Sequence, residues 1–388
     1  MSSRGTANAG LRRTSEGCVK RYLIFPGKLS ILCKVDRTAA TGTFISERDT
    51  MKFQVGYQDN RAFIAYLLKH SGRVSELYFP WGDFTTGRGV FLTEAARAHL
   101  AADLKDFAAA GVRLCLLLNG NCCGRETLAR SFFNRLGDTV DYLAGAYGLG
   151  GVTTASPLIA RFLRRNFPGL ELRASVNMEI GTPEGAAYVE DYFDSFYLKR
   201  EYNYDRARLL RMRDFCHARG KKLYLLANSG CLNFCSARTF HDNLVAHQHE
   251  VAAMDNAFDF AGECTTFLKK GENSRDLLSR SNFIRPEDVH LYEELCDGMK
   301  LATRTNFNPS AVAAAYFSGK WYGNLLDLTE PAHSGILLPR IVSGRLFPED
   351  YAEKRFVCGK ECEKCAYCRG VQEKATVTPD REMAALMK

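Results

Sequence analysis

From Met51 onward the chain alternates short apolar runs with amphipathic segments, and this alternation limits its fold more than any other feature. Runs of strand length occur at residues 53–57, 75–79, 113–118 and 151–154. The series continues at 171–176, 195–198, 223–227 and 299–303. Short apolar runs between turn-forming residues suit strands that are buried on both faces of a parallel sheet. Between them, helical spacing marks 93–110, 126–135, 157–166, 183–192 and 205–218, with Thr93 placed to cap the first. Pro157 and Pro183 fall at first-turn positions, where a missing N–H leaves no bond unmade. Eight β units separated by helices predict an α/β fold, a TIM-like (β/α)8 barrel over residues 51–320. A doubly wound open sheet is the alternative, but no GxGxxG follows the first strand.

Residues 1–50 do not fit this rhythm. Ser, Thr, Gly and Arg dominate them, and they read as a disordered arm or as a misassigned start, with Met51 the true first residue. They also carry most of the charge. The chain has a net +8, of which +5 lies in residues 1–50 and only +3 in the rest. A near-neutral body has no broad basic footprint, which disfavours nucleic acid as a partner. No apolar run reaches membrane-span length, and no secretory signal is visible, so a cytoplasmic location is expected. In a reducing compartment, 14 cysteines at short spacings point to metal or redox chemistry more than to structural disulfides.

Two cysteine groups stand out. Cys231 and Cys235 follow the seventh apolar run, after Asn228, Ser229 and Gly230 break it. Residues just past the C-terminal end of a parallel strand stand where α/β folds place their chemistry. Cys264 lies in the long interval before the last strand, and the three thiols call for a fourth partner from the tail or from Cys122/Cys123. His241, His247 and His249 follow in a segment of helical character. The second group is Cys358, Cys362, Cys365 and Cys368, within a cysteine-rich extension spanning 321–388. Four thiolates this close, separated by glycine and charged residues, are metal ligands by chemistry, and both zinc and iron–sulfur centres use four. Cys115, Cys216 and Cys296 fall on strand or helix faces and read as buried thiols, while Cys18 and Cys33 belong to the arm.

Polar residues at predicted strand ends complete the candidates: Asn119, Glu126, Asn177, Glu179, Glu201, Asn228, His241 and Arg304. Glu126, His241 and Arg304 are the expected substrate-orienting, catalytic residues, with His241 the acid or base. No Ser-His-Asp order, P-loop or HExxH is present, and the Glu293/Glu294 pair reads as a solvated face.

The segment LYLLANSGCLNFCSARTFHDNLVAH resembles the stretch bearing the first cluster cysteines of the U32 "peptidase", or collagenase-like, family. ASVNMEIGTPEGAAYVEDYFDSFYLKREYNYD is similar to its strand, helix and strand ending in Arg-Glu, and FIRPEDVHLYEEL followed by MKLATRT to its closing helix and last strand. ELYFPWGDFTTGRG and LLNGNCCGRE share its character, so the resemblance covers about residues 51–304. It implies an iron–sulfur TIM barrel related to oxygen-independent hydroxylases, with one or two [4Fe–4S] clusters. By position it makes Cys231, Cys235 and Cys264 cluster ligands; a tail cysteine, with Cys358 the candidate, is the fourth, or the tail with Cys358, Cys362, Cys365 and Cys368 holds a second metal, for which zinc is the alternative. The implied activity is redox or hydroxylation chemistry on a small molecule or peptide. Alternatives are a peptidase, or a non-catalytic subunit beside a homologous U32 partner.

Overall fold

The computed structural model describes residues 51–82, 84–89 and 92–379, so the reading of residues 1–50, with Cys18 and Cys33, lies outside the described residues. Eight parallel strands close into a barrel. They are β1 Phe53–Gly56, β2 Val74–Phe79, β3 Arg113–Leu118, β4 Gly151–Thr154, β5 Glu171–Ala174, β6 Ser195–Tyr197, β7 Lys222–Leu226 and β8 Gly298–Leu301. Each strand pairs with the next, and β1 pairs with β8 to complete the ring. The expected (β/α)8 barrel is therefore observed. Several ladders stop one or two residues before the apolar run does; Ala302, just past β8, lines the barrel mouth while remaining buried.

The helices between strands are α1 Arg61–Lys69, α2 Glu94–Ala109, α3 Arg130–Tyr147, α4 Pro157–Asn166, α5 Pro183–Ala187 and α6 Arg206–His217. Asn60, Thr93, Ser156, Thr182 and Asp205 each accept a hydrogen bond from a first-turn N–H, which fixes five of these starts. The helix expected at 126–135 begins later. Gly124 takes a left-handed φ of 66° and a short 3-10 turn spans Gly124–Glu126, which leaves Glu126 ahead of α3. Likewise α5 is shorter than expected, ending at Ala187.

Between β7 and β8 the chain inserts α7 Arg238–Ala246, α8 Gln248–Ala252, α9 Glu263–Lys269 and α10 Leu277–Arg280. The proline-started segment that follows is a 3-10 helix, Pro286–Tyr292. Beyond β8 come α11 Pro309–Ser318, α12 Ser334–Leu337, the antiparallel pair β9 Ile341–Val342 and β10 Thr376–Val377, and the helices α13 Tyr351–Phe356 and α14 Tyr367–Ala375. This extension docks on the insertion. Buried Arg355 of α13 donates to the carbonyls of Leu278 (3.1 Å) and Ser281 (2.9 Å) and to Asn282 Oδ1 (2.7 Å). Gln372 of α14 accepts from the Leu278 N–H at 2.9 Å. Phe356, Val371 and Ala375 join the apolar layer between strands and helices.

The barrel interior is charged. Arg173 on β5 is 2% exposed and meets Glu76 of β2 and Glu171, each at 2.6 Å. Its guanidinium lies 4.5 Å from the Tyr224 ring centre. Burial alone would raise the Glu171 carboxyl, but Arg173 and Arg113 hold it down at about 2, against an ordinary 4.5. A folded carboxyl held below its unfolded value adds stability that is complete above that value and disappears as pH falls toward the folded one. Urea unfolding is therefore expected to lose up to about 3 kcal/mol as pH drops from 5 to about 2 through this group. Glu171→Gln should abolish that part of the pH dependence.

Candidate functional site at the barrel mouth

The turns after the strands build one connected rim. The Gly87 N–H donates to Asn119 Oδ1 (3.1 Å), and Asn177 Nδ2 donates to the Asn119 carbonyl (3.2 Å). Arg200, just after β6, donates to Asn177 Oδ1 (2.9 Å) and to Cys231 Sγ (3.3 Å). Groups from five βα turns are thus linked into one chain of hydrogen bonds that ends on a thiol.

The loop carrying Cys231 and Cys235 folds around a second arginine. Arg238, at the start of α7, donates to the Leu232 carbonyl (3.0 Å) and pairs with Glu179 and Glu201, each at 2.9 Å. Glu201 also accepts from the Phe234 N–H at 3.3 Å. This anchoring holds Phe234 at a left-handed φ of 53°, unusual for an aromatic residue, immediately before Cys235. Gly230 precedes the loop for a steric reason, since a Cβ there would lie 2.0 Å from the Pro331 carbonyl oxygen. Burial would raise the Cys231 thiol, yet Arg200, Arg238 and Arg88 hold it below its usual value.

The extension contributes to the rim as well. Residue 330 runs beside Ser229, with the Gly230 N–H donating to the Glu330 carbonyl at 3.0 Å. The Glu330 carboxylate then accepts from Arg88 Nε at 2.8 Å. Arg304, 8% exposed, donates to Thr86 Oγ1 at 3.2 Å, and burial depresses its guanidinium to about 10. Gly56 leaves room for it, because a Cβ would stand 2.7 Å from both Arg304 Cγ and the Tyr78 ring.

Cys264 of α9 feels the charges of Cys231 and Cys235, so the three expected thiols share one neighbourhood. Cys235 and Cys264 line a groove of about 530 Å³. The tail thiols form a second neighbourhood: Cys368 feels Cys358, Cys362 and Cys365, and the Lys360 N–H donates to Cys358 Sγ at 3.3 Å. Cys362 and Cys365 line an adjoining groove, and Asn233, Phe234 and Arg280 border both. The tail matches a four-thiolate centre in donor number and kind, and the trio matches in kind with three. Among the described residues, no three His, Cys, Asp or Glu side chains converge closely enough to hold an ion as they stand.

The other expected residues disperse. Glu126 pairs with Arg135 and lines a separate cavity of about 740 Å³ with Cys123 and His247. His241 packs its ring against Phe260 (5.3 Å), and burial lowers its imidazole. Asn228 ties down backbone, donating to the Ala302 and Leu328 carbonyls. Cys115, Cys216 and Cys296 are buried, and Glu293 and Glu294 are exposed, as expected. Arg88, Arg200, Arg238, Lys300 and Glu330 were not among the expected residues. Two signals are visible: the Arg200–Glu201 pair that closes the sixth run, and the lysine inside the apolar run MKLAT, since a strand buried on both faces rarely carries a charge.

No family model matches the chain. It is 26% identical over 314 residues to a protein of Methanocaldococcus jannaschii named an uncharacterized protease, covering 77% of this chain and 88% of the relative. The chain is a relative of that archaeal protein. The match agrees with the resemblance carried by the motif order, which points to a family that bears an old protease label. Among solved structures, a U32 peptidase aligns with TM-score 0.48 and 15% identity over 69% of this chain and 95% of its own. The muconate lactonizing enzyme of Pseudomonas putida aligns with TM-score 0.32 and 15% identity over 51% and 52%. Among the described residues, no helix is long and apolar enough to cross a membrane.

Proposed function

We propose that the chain is a U32-type iron–sulfur protein that carries out redox or hydroxylation chemistry on a small molecule or peptide at the barrel mouth. One observation carries this reading. Cys231, Cys235 and Cys264, from separate parts of the β7–β8 segment, share a neighbourhood beside a mouth lined with arginines. Cys231, Cys235 and Cys264 would hold a [4Fe–4S] cluster, with Cys358 or another tail thiol as fourth ligand, or the tail would hold its own cluster or zinc. Such a centre, when bound, supplies one-electron redox chemistry tuned by the charges and hydrogen bonds around its sulfurs. The chain's own part is positional. Arg238 shapes the thiol loop, Arg200 joins it to the rim, and Arg88 and Arg304 set a positive field for an anionic substrate.

The relative's name favours a hydrolytic reading. Against it stands the surrounding of Cys231: its sulfur accepts from Arg200 at 3.3 Å, its N–H donates to Ser229 Oγ at 3.4 Å, and among the described residues no histidine or carboxylate able to act as base bonds the sulfur. The test is anaerobic purification of the full chain. A brown protein with broad visible absorbance that bleaches in Cys231→Ser/Cys235→Ser is expected. A colourless protein whose activity survives both replacements would contradict the reading.

A further inference from the structure

Among the residues that line the barrel mouth, positive charges outnumber negative ones, while Glu76, Asp242 and the Cys231 thiol stand behind them. Arg88, Arg200, Lys300 and Arg304 line a cavity of about 50 Å³ against one carboxylate, Glu330. Glu330 is already engaged, by Arg88 at 2.8 Å and by the Thr305 N–H at 3.3 Å. Arg200 is 7% exposed, and its Nε is enclosed with no acceptor. Its other N–H groups go to the Cys231 sulfur and the Asn177 amide oxygen, so the spare N–H of this buried guanidinium is the one an anion would complete.

Lys300 rises into the same cavity from β8 and is 7% exposed. Its Nζ lies 3.9 Å from the Tyr78 ring centre and 5.3 Å from that of Tyr197. Aromatic faces attract an ammonium without supplying a counter-charge. Burial, reinforced by Arg304, brings the amine down to about 7, so its uncharged, nucleophilic form is populated at neutral pH.

We propose that the mouth binds small oxo acids, with the carboxylate on Arg200 and Arg304 and the carbonyl carbon captured by Lys300 as an imine. The amine lone pair makes the C–N bond, and the carbonyl oxygen leaves as water with both amine hydrogens. No electron enters or leaves the substrate, so the step needs no oxidant or reductant. The cavity is little larger than a single water's share of liquid volume, ~30 Å³. It therefore admits a carboxylate with its adjacent carbonyl, while the rest of the ligand extends outward. The inference rests on the mouth as reaction centre and not on the thiols, so it and the cluster reading fail in different experiments.

The full chain is incubated with pyruvate, reduced with sodium borohydride and mapped by peptide mass. A reduced adduct is expected at Lys300, absent from Lys300→Met and suppressed by excess lactate, which has the carboxylate but no carbonyl. Arg200→Gln and Arg304→Gln should each lower trapping about tenfold, the loss for one charge-assisted hydrogen bond. If Lys300→Met does not fold, the mapped position in the unaltered chain decides. Adducts scattered over exposed lysines with none at Lys300, or labelling of Lys300 that lactate does not suppress, would overturn the proposal.

Discussion

Arg173→Met is expected to destabilise the chain by about 3–5 kcal/mol, the range for removing one partner of a buried ion pair. Arg173 and Glu76 are each 2% exposed, and the guanidinium also donates to Ser195 Oγ at 3.0 Å and to Glu171 at 2.6 Å. Methionine fills a similar volume, so the loss reports charge and not a cavity. It would leave the Glu76 carboxylate inside the barrel with no ion-pair partner and strip Glu171 of one of its two arginines. Because domains are stable by only ~5–15 kcal/mol, a loss of this size is a large share of the total. Denaturant unfolding is the measurement. A second substitution, Glu76→Gln, should recover much of the loss by removing the stranded charge, since charges in contact do not contribute additively. A loss under about 1 kcal/mol would mean the interior is wet enough to solvate the pair.

That network also shows which parts of the molecule the sequence discloses. The strands were legible because each is a short apolar run between breakers, and Asn228, Ser229 and Gly230 mark the end of β7 plainly. Helix starts were legible wherever a capping side chain or an N1 proline stands, as at Thr93 and Pro157. The start of α3 was not, because the left-handed Gly124 and the 3-10 turn after it leave no mark on the periodicity. The cysteines announced themselves by spacing. Arg88 and Glu330 did not, since they are 242 residues apart and acquire meaning only when the extension lays residue 330 beside β7. The docking of the tail was hidden for the same reason. Arg355 reaches backbone carbonyls, which carry no residue-type signal.

The second large effect concerns metal. Cys362 and Cys365 of the tail line one groove and Cys235 and Cys264 line the adjoining one, and a wall formed by Asn233, Phe234 and Arg280 borders both. If the tail completes the Cys231 set, loss of either group empties a single centre. If the tail holds its own ion, its loss leaves the barrel's metal in place. Because ligation requires thiolates, each replacement removes a donor. Cys231→Ser/Cys235→Ser is expected to lose nearly all of the barrel-mouth metal while the fold persists, since neither thiol belongs to the buried core.

Iron and acid-labile sulfide should therefore be measured on anaerobically prepared full chain, on Cys231→Ser/Cys235→Ser, and on Cys362→Ser/Cys365→Ser. Iron and sulfide in near-equal amounts in the unaltered chain, lost from the first variant, is the predicted result. An unaltered chain without iron or sulfide, or a first variant that keeps both in full, would contradict it.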